Sequence, residues 1–302
     1  MRPRRSLSVF VFSALLVSFL APAPLRGQET PPTLPKTPQA GVMAAVAEEF
    51  PGGGLDGYLL YLPRSFDRDP NRKWPVVMFL QGGLAVGGPL EIIANWGIPK
   101  LLHEGVTEES ELHDLLFDET IFVAPHLTAE GRLGHSFYRN APAIESIFDH
   151  LIDKYRADPD RISMTGLSRG GHGTWGLASR LAHRLSAAAP IGGNTSGITS
   201  HTALAQLPLW ILHNSRDRVV SPEGALHAAH WIEKISGENF LRLDSFDPRG
   251  SGFMEAKRIY TAVDSESHDA WRPTYSRVEF YRWLLQHRRA PLPIPERRKM
   301  KL

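Results

Sequence analysis

Three observations predict a doubly wound α/β fold for this 302-residue chain: a mostly parallel sheet with helices on both faces. Short apolar runs alternate with segments whose apolar residues recur at helical spacing. The runs are continuous rather than alternating, as strands covered on both faces require. No internal repeat or second composition regime interrupts the pattern. At 42% hydrophobic and 22% charged residues the composition excludes disordered and collagen-like chains. A domain near 300 residues buries roughly three quarters of its unfolded surface, so the core needs neither disulfides nor a structural metal.

Residues 1–27 read as a secretory signal peptide. Arg2, Arg4 and Arg5 form a basic start, Ser8 to Ala21 is the apolar run, and small residues follow at Ala21 and Ala23, with a further cut position after Gly27. The run is shorter than the roughly 18 residues of a membrane span, so no stable anchor is expected; an uncleaved N-terminal anchor is the alternative. Prolines at 31, 32, 35 and 38 then make 28–41 a stiff, structureless linker.

The catalytic-sized domain is expected over 42–290. Strands are predicted at Tyr58–Leu62, at Trp74–Leu80 before Gly82-Gly83, and at Thr120–Ala124, where Pro125 ends the run. A helix follows over Ala143–Tyr155. Arg161–Thr165, Ala187–Ile191 and Leu207–Leu212 complete the strand series, with an amphipathic final helix over Ser276–Gln286. The tail, 291–302, with Arg297, Arg298, Lys299 and Lys301, reads as a solvated end.

Gly166-Leu167-Ser168-Arg169-Gly170-Gly171 carries the chemistry. It matches G-x-S-x-G, follows the strand 161–165 and opens a helix over His172–Leu181. A tight strand-to-helix turn holds such a serine strained and exposed, and Gly166, Gly170 and Gly171 let neighbouring backbone pass close by. The bland alternative is a glycine-rich turn without catalysis. In such hydrolases the acid and the histidine follow the serine in the chain. Asp217, shortly after the strand 207–212, suits the acid, which would fix the tautomer of a histidine; Asp244 and Asp247 are rivals. His268, in Ser267-His268-Asp269-Ala270-Trp271, lies on a polar loop before the final helix. The intervals of 49 and 51 residues leave room for one βα unit each. Gln81-Gly82-Gly83 follows strand 74–80, which places the Gly83 N–H beside that of Arg169 as oxyanion donors.

These segments, with YLLYLPRSFD, KWPVVMFLQGG, DPDRISMTGLSRGGHGTWGLA, AAAPIGGN and SHDAW along most of 58–285, resemble the α/β-hydrolase superfamily. The resemblance is to the secreted esterase branch that contains polyhydroxybutyrate-depolymerase-like and feruloyl-esterase-like enzymes and predicted peptidases. The resemblance implies Ser168 as nucleophile, Asp217 as acid, His268 as base, and hydrolysis of carboxylic esters or peptides without a cofactor. Two departures stand out. Gln81 occupies the place of the usual histidine before Gly-Gly, and Asn214-Ser215-Arg216 replaces a glycine-bearing turn before the acid.

The expected reading is therefore an exported serine carboxylic-ester hydrolase acting on a small-molecule or polysaccharide-linked ester. A prolyl-oligopeptidase-like peptidase and a non-catalytic binding protein on the same fold are the alternatives. Zero cysteines exclude disulfide frameworks, thiolate zinc sites and cysteine catalysis. Setting aside the four basic residues of the leader takes the net charge from +2 to −2, so no nucleic-acid partner is expected. His227, His230 and Glu233 share a predicted helix, but without an H-E-x-x-H pattern no metal is expected. Trp96, Phe137, Tyr138, Trp175 and Trp271 are candidates for an aromatic pocket, and the Arg169 side chain is read as pointing to the site entrance.

Overall fold

The apolar runs become one nine-stranded sheet in the computed structural model, which describes residues 30–50, 54–108, 110–129 and 136–289. The leader over 1–27 and the tail over 291–302 lie outside these residues. The strands are β1 (Met43–Ala47), β2 (Leu55–Tyr61), β3 (Trp74–Leu80), β4 (Ile121–Leu127), β5 (Ala157–Leu167), β6 (Ala187–Ile191), β7 (Leu209–Leu212), β8 (Leu241–Leu243) and β9 (Arg258–Thr261). They lie in the order β1-β2-β4-β3-β5-β6-β7-β9-β8. Only β2 runs against its neighbours; the remaining pairings are parallel.

Helices cover both faces. On one, α3 (Ala141–Tyr155), α4 (Arg169–Leu181) and α6 (Glu223–Ser236) pack Phe148, Trp175 and Ile232 over Val76, Met78, Met164 and Ile211. On the other, α1 (Gly97–Glu104), α2 (Glu111–Phe117), α7 (Trp271–Tyr275) and α8 (Val278–Gln286) pack Ile98, Leu116, Tyr275 and Trp283 over Val77, Phe79, Ala189 and Trp210. A short α5 (His201–Leu204) follows β6. Adjacent residues of β3 thus enter opposite cores, which explains why the run WPVVMFL has no polar member.

Three expectations are corrected. Strand β4 does not stop at Pro125 but continues to Leu127. Pro125 sits opposite Tyr58, at the bulge in β2 where the regular β2–β4 register ends, and beyond the β3 pairing, which ends at Met78–Val123; a bulge is where a strand tolerates a proline. The helix after Ser168 begins at Arg169, not His172, because the two glycines are packing positions inside the helix rather than turn residues. The stretch 28–41 is not wholly structureless. Leu34 is buried, the Ala45 N–H donates to the Pro35 carbonyl, and Gly41 donates to Leu62. These contacts tie the segment to β1 and to the end of β2.

Candidate active site

The site lies at the carboxyl ends of the central strands, where parallel α/β sheets bind their ligands. Ser168 follows β5 directly and adopts φ 53°, ψ −113°, a positive φ that a residue with a side chain tolerates only when its surroundings impose it. The surroundings do so. The Ser168 N–H donates to Ile191 O on β6, and its own carbonyl accepts from the His172 N–H inside α4. A Cβ at Gly166 would come within 2.6 Å of Gly170 O, one at Gly170 within 1.9 Å of Leu80 O, and one at Gly171 within 2.3 Å of Ile191 O. Only glycine lets α4 start this close to β3 and β6.

The structure brings Ser168, His268 and Asp217 into one hydrogen-bonded chain. His268 Nε2 lies 2.9 Å from Ser168 Oγ, and His268 Nδ1 lies 2.6 Å from Asp217 Oδ2. Because Nδ1 faces a carboxylate, it carries the proton and donates, leaving Nε2 free to accept from the serine hydroxyl. Trp271 packs its ring edge-to-face on the imidazole at 5.1 Å. The Asp217 side chain is fully buried. Burial opposes its ionisation, but hydrogen bonds from His268 and from the Val219 and Val220 N–H groups outweigh that and hold its pKa below the usual carboxylate range.

The loops bearing the acid and the histidine are stitched together. Asn214 Nδ2 donates to Ser267 O at 2.7 Å, Ser215 N to Val263 O, and Arg216 N to Ser265 O. Outside this ladder Arg216 pairs with Asp264 and Glu266, and Arg218 with Glu266. The Asn-Ser-Arg turn that departs from the usual glycine-bearing one therefore has its own function: its side chains hold the histidine loop. The rival acids lie elsewhere. Asp244 is exposed and Asp247 pairs with Arg249 and Arg277.

Sequence reasoning missed His213, at the end of β7. Its Nε2 lies 3.0 Å from Val220 O and 3.3 Å from Asp217 Oδ2. Both partners are acceptors, so Nε2 carries the proton and donates. Burial holds this histidine's pKa below its ordinary value, partly offset by those two acceptors. The signal was an i,i+4 His–Asp pair after a strand, indistinguishable in sequence from a surface turn.

Gly83 and Arg169 are neighbours. A Cβ at Gly83 would lie 3.6 Å from Arg169 Nε. Each opens a helical turn, Gly83 a short 3-10 turn and Arg169 α4, so their N–H groups have no acceptor within the turn. Gln81, fully buried, donates from Nε2 to Ala85 O at 3.1 Å and Leu127 O at 3.4 Å, bracing the loop from below. Of the pocket aromatics, Phe137 and Trp175 are core residues. Trp96, Tyr138 and Trp271 are half-buried, Tyr138 against His172. His227 and His230 are exposed, and Glu233 accepts from Phe240 N and Arg242.

No protein-family model and no curated protein matches the chain. Solved structures do. A thermostable esterase is similar over 82% of this chain and 63% of its own, with a TM-score of 0.63 at 22% identity. The strand order, the elbow after β5 and this likeness decide the architecture. The chain has the α/β-hydrolase fold. A dipeptidyl aminopeptidase IV described as putative, from Bacteroides ovatus, is similar over 81% of this chain and 36% of its own, with a TM-score of 0.56 at 15% identity. A ferulic acid esterase from Anaeromyces mucronatus is similar over 85% and 95% respectively, with a TM-score of 0.50 at 15% identity. The chain thus spans less than two thirds of the length of the thermostable esterase and about a third of that of the dipeptidyl aminopeptidase. Among the described residues no helix is long and apolar enough to cross a membrane.

Proposed function

We propose that the protein is a serine hydrolase that cleaves carboxylic esters through an acyl-enzyme on Ser168. The observation that carries this reading is the chain Ser168 Oγ–His268–Asp217, with contacts of 2.9 and 2.6 Å, on a serine held at positive φ. His268 Nε2 takes the hydroxyl proton as Oγ attacks the ester carbonyl. The Arg169 and Gly83 N–H groups receive the negative charge on the former carbonyl oxygen. The imidazolium, stabilised by the Asp217 carboxylate, then gives its proton to the departing alkoxide as the ester C–O bond breaks. Water, deprotonated by the same histidine, cleaves the acyl-enzyme and returns the serine.

Full-length protein is expected to hydrolyse short p-nitrophenyl esters, with Ser168→Ala losing at least about 10³ in kcat. Equal rates in the two proteins would overturn the assignment. The likeness to the Bacteroides ovatus dipeptidyl aminopeptidase favours a second reading, cleavage of peptides by the same groups. Aminoacyl and dipeptidyl p-nitroanilides turned over faster than matched esters would favour it, and activity on neither would favour a binding protein. Export through the leader over 1–27 belongs to the same proposal. Its test is the N-terminus of the protein recovered outside expressing cells: one that begins at Met1 contradicts cleavage.

A further inference from the structure

The residue after the nucleophile is Arg169, and its guanidinium is spare. It is half-buried, and among the described residues it makes neither a side-chain hydrogen bond nor an ion pair. Other arginines of α4 and of the loops that follow are committed: Arg180 to the Gly176 and Gly197 carbonyls, Arg184 to Asp149, and Arg216 and Arg218 to the carboxylates beside the histidine loop. The acid of the triad cannot serve as its counterion. Asp217 is buried, and its two oxygens already face His268, His213 and two backbone N–H groups. Partly desolvating a cation without a partner costs free energy, so a site keeps such a group where a ligand completes it.

The position of the charge is set by its neighbours. Arg169 Nε lies 3.6 Å from where a Cβ would stand on Gly83, against the loop whose N–H groups face the reacting carbonyl. Toward α4 the same charge, after burial, holds the pKa of His172 down, so that ring is neutral and adds no competing cation. Apolar side chains stand exposed on both flanks: Leu84 next to Gly83, and Val219 two residues from the acid.

Resting on the ester-hydrolase reading, we infer that the substrate is an anionic ester, one whose acyl or alcohol portion carries a carboxylate that pairs with the Arg169 guanidinium while its apolar part lies along Leu84 and Val219. A planar guanidinium matches a carboxylate in a two-point contact, which sets orientation as well as affinity.

The test uses full-length protein and two near-isosteric pairs, followed by proton release. Monomethyl glutarate against methyl valerate places the charge on the acyl side, and O-acetylglycolate against propyl acetate places it on the alcohol side. The wild type is expected to favour at least one anionic ester over its neutral partner by about tenfold or more in kcat/KM, the scale of one charge-assisted contact. High salt is expected to reduce that ratio. Arg169→Gln, which keeps the backbone N–H, is expected to bring the ratio close to one, mainly through KM, and Arg169→Lys to restore part of it. A wild-type ratio near or below one for both pairs, or a ratio that survives in Arg169→Gln, overturns the inference. Fluorophosphonate labelling of Ser168 separates the two levels. Labelling without a preference for either anionic ester overturns this inference alone, whereas no labelling and no hydrolysis removes the hydrolase reading and this inference with it.

Discussion

Asp217 is the most heavily engaged side chain of the site, and its four donors make it the residue whose chemistry is easiest to test. Replacing the carboxylate with an amide leaves the shape and reverses one end's polarity. An amide nitrogen facing His268 Nδ1 favours the wrong tautomer, which puts the proton on Nε2, where the serine needs an acceptor. Asp217→Asn is therefore expected to lose about 10³–10⁴ in kcat with KM little changed, read from ester kinetics. His213 touches the acid and not the serine, so it acts by positioning. His213→Phe is expected to lower kcat by about three- to tenfold, and His213→Gln, which keeps a donor, to recover most of it. A phenylalanine variant with wild-type kcat would show that the contact at 3.3 Å does nothing for the acid.

At the scale of elements, the elbow depends on α4 starting hard against β3. Gly170→Ala would drive a methyl group to 1.9 Å from Leu80 O, a backbone atom that cannot turn aside. Denaturant unfolding is expected to show a loss of at least about 3 kcal/mol, the range of severe overpacking. Gly237→Ala is the contrast: φ is 72° at the end of α6, but nothing stands within 4 Å, so only backbone strain of about 1 kcal/mol is expected. Equal losses at the two positions would contradict the packing argument. Which elements the sequence disclosed follows from the same physics. Strands β3 and β6 were legible to the residue because both their faces are buried, leaving pure apolar runs. β1, β8 and β9 were not, being short, alanine-rich or partly polar; β8 keeps an exposed Arg242 between two half-buried leucines. The positions of Ser168, Asp217 and His268 could be read because each follows a strand or precedes a helix. His213 and the bracing role of Gln81 were not, since both depend on contacts across loops far apart in the chain.

For the whole molecule, histidines held neutral by burial contribute to the loss of stability in acid. His287 packs edge-on against Trp283 at 4.5 Å, and burial, followed by the nearby Lys257, pushes its pKa down to about 4. In the unfolded chain it takes up a proton near pH 6.5, so unfolding gains protons between those values. Stability is thus expected to hold above about pH 6.5 and to fall as pH drops toward 4, by up to about 2 kcal/mol from this residue, with His172 and His213 adding in the same direction. Denaturation of wild type and His287→Phe at about pH 7 and about pH 5 reads the difference, which is expected to be smaller in the variant; an unchanged difference would remove His287 from the account. The function that the whole fold is proposed to serve rests on one nucleophile. Its most direct test is to treat the native full-length protein with a fluorophosphonate and find the modified residue by peptide mass spectrometry. A single label is expected, on Ser168, formed much more slowly in His268→Ala. No label, or a label on another serine of the folded protein, would contradict it.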